Sequence, residues 1–263
     1  MGRLFLFVAL GAVVACSGGG DTDDGVGEAT CDGNAFTLRI NGMSVATPTS
    51  GFDLDDHDTQ STDDSVGCGK VDGAGGVDNA LSSLESSLSS FGLGIGGPLG
   101  DAVTAGDLVI DITVAGYDGG ETDDCVLLDL DVNDEVVVTS VESSVTGGVL
   151  DVELTELPLQ GEIDMGYGPM DVDITARAVV LSLPLAGSPV SVTNGLMGAG
   201  LPWDEPGNDK DMRSLVEANV GATMFPLVEG IMVDRLDLQP PGAASSADCD
   251  AISSALTVNA TSL

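Results

Sequence analysis

A chain of 263 residues with 43 acidic and 7 basic side chains carries a formal charge of −36, which excludes the phosphate-neutralising surfaces that nucleic-acid binding needs. Hydrophobic residues make up 43% of the chain and aromatics only 3%, so the apolar material suffices for one large domain whose core is Val, Leu, Ile and Ala. The basic residues beyond Arg3 (Arg39, Lys70, Arg177, Lys210, Arg213 and Arg235) are isolated in sequence, and the surplus acid reads as solubility in salty or divalent-rich surroundings.

Met1 to Val14 holds one basic residue, Arg3, and then an apolar run from Leu4. That run is too short to span a bilayer and fits the core of a signal peptide. It leads through Val13-Val14-Ala15 into Cys16, a pattern that resembles a bacterial lipobox. Residues 1–15 are therefore expected to be a lipoprotein signal peptide, with Cys16 acylated and the membrane as the partner reached through it. Ser17, where some lipoproteins carry Asp, resembles the outer-membrane sorting pattern of Gram-negative bacteria. Residues 16–30 are rich in Gly and acid without apolar periodicity and read as a flexible tether. Residues 31–263 are expected to form a single β-rich domain.

Phe36 to Ala46 alternates apolar and polar residues and predicts a half-buried strand. An acid-rich stretch follows, from Gly51 to Phe91, ending in Asp78-Asn79 as a helix cap and in a stripe of Leu81, Leu84, Leu88 and Phe91 at helical spacing. Pro98 to Ala105 predicts a short second helix. Strand patterns recur over Asp107–Gly116, Cys125–Asn133, Val136–Val141, Val149–Leu157, Asp171–Leu185 and Val190–Ala199. The Asp171–Leu185 run becomes apolar throughout, which predicts a strand covered on both faces. Asp211–Asn219 and Thr223–Asp234 read as helices, and Ile252–Leu263 as a final strand. The expected fold is α+β and β-rich: antiparallel or mixed sheets, sandwich-like, with three to four short helices packed on them.

Cys31, Cys68, Cys125 and Cys249 are an even set in an exported chain, and two disulfides are expected among three connectivities. Calcium is the one cofactor with chemistry behind it. It takes 6–8 oxygen ligands and favours Gly-rich turns. Asp53-x-Asp55 offers two carboxylates on one side of an extended chain, and Asp72, Asp78 and Asn79 surround a Gly-rich turn. The competing reading is a solvated acidic loop. Asp118, Glu121, Asp123 and Asp124 make a weaker cluster.

Other motifs fail on context. Gly92 to Gly97 matches GxGxxG but follows a helix and precedes Pro98, so it reads as a turn and not a dinucleotide site. Asp129-x-Asp131-x-Asn133 opens like an EF-hand loop but continues with Asp134 and Ser140 where Gly and Glu belong. His57, the single histidine, lies in an acidic loop and reads as a surface residue, with an auxiliary metal ligand as the alternative, which leaves a histidine triad without its base.

The lipobox, the GFDLD of Gly51–Asp55, Cys68-Gly69 with Asp72, Gly76–Asn79, Ala105–Asp107, Asp123–Cys125 and Cys249–Ser253 together resemble a group of uncharacterised lipoproteins from large-genome soil and marine bacteria of the myxobacterial kind. The resemblance implies one domain and a lipid anchor, and carries no activity with it. The expected function is a lipid-anchored protein of the outer membrane with a non-catalytic binding or structural role and a protein or glycan partner. A calcium-dependent adhesion or ligand-binding module is the second reading, and a carboxylate-based surface hydrolase the third.

Overall fold

A computed structural model describes residues 31, 33–55, 70–90, 94–164, 169–204, 210–240 and 248–263. The leader, the tether, Cys16, His57 and Cys68 lie outside the described residues.

Eight strands form one closed antiparallel barrel in chain order: β1 (Asn34–Val45), β2 (Ile110–Tyr117), β3 (Thr122–Val132), β4 (Glu135–Thr146), β5 (Val149–Asp164), β6 (Pro169–Ala186), β7 (Ser191–Pro202) and β8 (Ala251–Ser262). This corrects the sandwich-like expectation. Each strand pattern read from sequence overlaps one of these strands, but β1 pairs with β8, from Leu38 opposite Ser262 to Val45 opposite Leu256. That contact closes the sheet upon itself and removes its edges. Among the described residues three helices accompany it: α1 (Ala80–Ser89), α2 (Gly96–Ala105) and α3 (Met212–Val233).

The core fills the barrel. Ile110, Ile112 and Val114 on β2, and Val126, Leu128, Leu130 and Val132 on β3, are buried at every second position. Their neighbours Asp111, Thr113, Asp129 and Asp131 face outward, and Arg39 on β1 pairs with Asp111 at 2.6 Å. A barrel facing lipid reverses this order.

The apolar run on β6 has a different cause from the one the sequence suggests. Ile174 and Ala176 are buried, then Val179, Leu181 and Leu183. The parity switches at Ala178, whose φ is +49°, where the pairing with β7 also slips. An inserted residue of this kind swaps the two faces of a strand, so Ala178-Val179-Val180-Leu181 is a change of face and not a strand covered on both sides. The seam between β4 and β5 is short, with pairing confined to Ser144–Thr146 and Val149–Asp151.

The connections give the barrel two unlike ends. The turns β2–β3, β4–β5 and β6–β7 lie at the near end, with the start of β1 and the end of β8. The far end carries both long connections, α1–α2 between β1 and β2, and α3 between β7 and β8. α2 touches both β1 and β5, so it lies across the far mouth. Its first turn is capped by Glu85, whose Oε2 accepts from the amides of Ile95 (2.6 Å) and Gly96 (3.1 Å). The α3 segment breaks at Gly221 (φ +71°, ψ 158°), where the sequence places the gap between two helices. By length and composition α3 passes as a membrane span, yet each half beside that break is far short of the roughly 20 residues a span requires.

Candidate functional site

The acidic stretch folds onto the outside of β7 and β8 because small residues make room for it. A β-carbon on Gly198 would lie 2.4 Å from Cδ2 of Phe52, and one on Gly200 would lie 3.0 Å from Cδ1 of Leu238. Gly51 packs beside Ala255 on the same outer face. Ser253, between them on β8, accepts from the Ala80 amide at 2.7 Å through Oγ and donates that hydroxyl to Asp237. The start of α1 and the Asp237 segment are thus joined through one serine.

Two remote pieces of chain meet on this platform. The Asp78 amide donates to the Phe52 carbonyl at 2.8 Å, and the Leu54 amide donates to Asp78 Oδ2 at 2.7 Å. Asp53, Asp55 and Asp78 each bring a carboxylate oxygen into one group, all within 4.8 Å of one another. Gly76, at φ +78°, leaves room for the Asp53 carboxylate, which lies 2.8 Å from where a β-carbon would stand. Asp78 is 1% exposed, and its Oδ1 has no hydrogen-bond partner among the described residues.

The electrostatics follow from burial. Removal from water pushes the Asp78 carboxyl up to about 9, with the charges of Asp55, Asp237 and Asp72 acting in the same sense and the Leu54 hydrogen bond opposing them. Burial also pushes Asp237 up to about 7 against its hydrogen bonds from Ser253, with Asp72 and Asp55 adding to the rise. A cleft of about 320 Å³ opens beside the group, lined by Asp72, Asp78 and Asp237 with Lys70 and Arg235. Lys70 is directed to α3, donating to the Asp234 carbonyl at 2.8 Å.

Of the five residues expected to meet a cation, the fold brings together Asp53, Asp55 and Asp78. Asp72 lines the adjoining cleft and acts on Asp78 through its charge. Asn79 caps α1: its Oδ1 accepts from Ser82 N at 3.3 Å, and its amide donates to the carbonyls of Thr47 (3.0 Å) and Ser50 (2.9 Å). Asp237 was missed by sequence reasoning. Its only signal is an acid set between two leucines, Leu236 and Leu238, which marks a charged group carried into apolar packing.

The remaining acidic motifs are structural. Asp123 accepts from the amides of Asp118 (3.0 Å) and Cys125 (3.1 Å), and Asp118 accepts from Gly120 at 2.7 Å, so these carboxylates shape the near-end turn. In the EF-hand-like run, Asp129 accepts from Ser140 N at 2.7 Å and Asn133 accepts from Val109 N at 2.8 Å. Cys31 and Cys125 form a disulfide, which selects one of the three connectivities. Cys249 is disulfide-bonded as well, to a partner outside the described residues.

Comparison of the chain with protein-family models, with curated proteins and with solved structures finds no match.

Proposed function

We propose that the protein is a lipid-anchored, non-catalytic domain of the bacterial cell envelope, which holds its barrel upright on the membrane and presents the acidic cleft outward to a protein or glycan partner. The observation that carries this reading is the polarity of the barrel. Residues 16–30 lead into Cys31, which is tied to Cys125 at the near end, while the cleft and all three helices belong to the far end. The tether that the composition of residues 16–30 suggests would reach roughly 20 Å, which supports a membrane at the near end. The charged outer wall of the barrel suits water and not lipid.

The hydrolase reading draws less support from the same site. Among the described residues, no aromatic lines the cleft to hold a sugar ring.

Two measurements test the proposal in a Gram-negative host. Mass analysis of the N-terminal peptide is expected to show acylated Cys16, and Cys16→Ser is expected to release the protein from membranes. Protease-cleavage sites are then inserted singly at the Asn133–Asp134 turn of the far end and the Gly147–Gly148 turn of the near end. Faster cleavage at the far end supports the orientation. An unmodified Cys16, or equal cleavage at both turns on the membrane-bound protein, overturns the reading.

A further inference from the structure

We propose that Asp53, Asp55 and Asp78 form a calcium site, in which the ion clasps the segment after β1 to the start of α1 on the outer face of β7 and β8. Clustered acid alone is ordinary in so acidic a chain. The deciding observation is the second oxygen of Asp78. Oδ1 is buried and without a partner, in a residue 1% exposed whose other oxygen already accepts the Leu54 amide. A buried carboxylate oxygen with no donor is costly, and the residues grouped with Asp78 are two further aspartates. Neither Lys70 nor Arg235 of the adjoining cleft bonds to it. A cation supplies what the protein around Oδ1 does not.

The donor set selects the class of ion. Among the described residues it is oxygen throughout, which favours a hard cation. Oxygens on opposite sides of one calcium lie roughly 4.6–5.2 Å apart, given bond lengths of 2.3–2.6 Å. Oxygens that all lie within 4.8 Å of one another can therefore reach a single shared calcium. Magnesium, at about 2.0–2.1 Å, demands a tighter octahedron and retains its waters. Asp72 and Asp237, at the edge of the site, deepen its negative potential. The inference does not rest on the lipid anchor and survives if the anchor fails.

The test uses the purified full-length protein, stripped with chelator and titrated calorimetrically with CaCl2 and, in parallel, MgCl2. One calcium per chain is expected to bind at least tenfold more tightly than magnesium, above any diffuse binding to the other acids, and saturating calcium is expected to raise the Tm by about 5 °C. Asp78→Asn, isosteric and able to accept from Leu54, is expected to weaken the site at least tenfold, with circular dichroism as the check on folding. Asp53→Asn, on an exposed side chain, is expected to do the same without touching the core. Asp123→Asn, in the near-end turn, leaves it unchanged. The proposal is overturned if no single tight site is found, or if both Asp53→Asn and Asp78→Asn bind calcium as the parent does.

Discussion

Phe52 lies so close to Gly198 that a β-carbon there would meet its ring at 2.4 Å. The contact is the seat of the acidic segment on the barrel, because Gly198 sits on the outer face of β7 and Phe52 stands one residue before Asp53. Gly198→Ala is expected to push Phe52 off, at a cost of about 1–3 kcal/mol in denaturant unfolding, the usual range for overpacking. Calcium affinity should fall with it. An unchanged affinity would show that the segment is held by its other contacts.

Stability in chelator should depend on pH in an unusual sense. Asp78 and Asp237 have folded-state values of about 9 and about 7 against an ordinary 3.8. The folded protein therefore holds protons that the unfolded chain has released. Their contribution is complete below about pH 4 and is lost as pH rises, through about 7 for Asp237 and about 9 for Asp78. Between pH 7 and 9 Asp78 alone gives a fall of up to about 1.4 kcal/mol per pH unit. Asp78→Asn should flatten that slope, and saturating calcium should do so in the parent. A stability that rises between pH 7 and 9 in chelator refutes this account of Asp78.

Arg177 on β6 grips Asp250 with both terminal nitrogens, one at 3.0 Å, and donates to the Gln239 carbonyl at 3.4 Å. It ties the chain on either side of residues 241–247 back to the barrel wall. Arg177→Ala is expected to cost about 2 kcal/mol. Arg177→Lys should not restore it, because an ammonium cannot make the paired contact of a planar guanidinium.

The disulfide between Cys31 and Cys125 spans 94 residues. Replacing both cysteines with serine is expected to lower stability by about 2–4 kcal/mol, read from denaturant midpoints at constant slope. The far-end calcium site should keep its affinity, since the bond lies at the other end of the barrel.

Much of the fold is legible from strand and helix patterns, which overlap all eight strands and mark the break between the halves of α3. Closure is not legible. A sandwich and a barrel ask the same periodicity of each strand, and the pairing of Leu38 with Ser262 leaves no local trace. The bulge at Ala178 is also silent, because its apolar run mimics a strand buried on both sides. At the site, density of acid points to Asp53, Asp55 and Asp78, while Asp237 enters through the β7–β8 connection, far away in sequence. Asn79 illustrates a residue type suited to two tasks, cap and ligand, whose assignment depends on the carbonyls of Thr47 and Ser50 that the fold brings to it.

An even number of strands returns the chain to the end from which it set out. The Leu263 amide donates to the Thr37 carbonyl at 2.9 Å, so the last residue lies beside the first strand. A fluorescent protein or affinity tag joined at Leu263 would therefore stand at the near end beside β1, leaving the cleft clear for imaging or capture. A peptide grafted into the Asn133–Asp134 turn would stand at the opposite pole, which makes the barrel a two-ended scaffold.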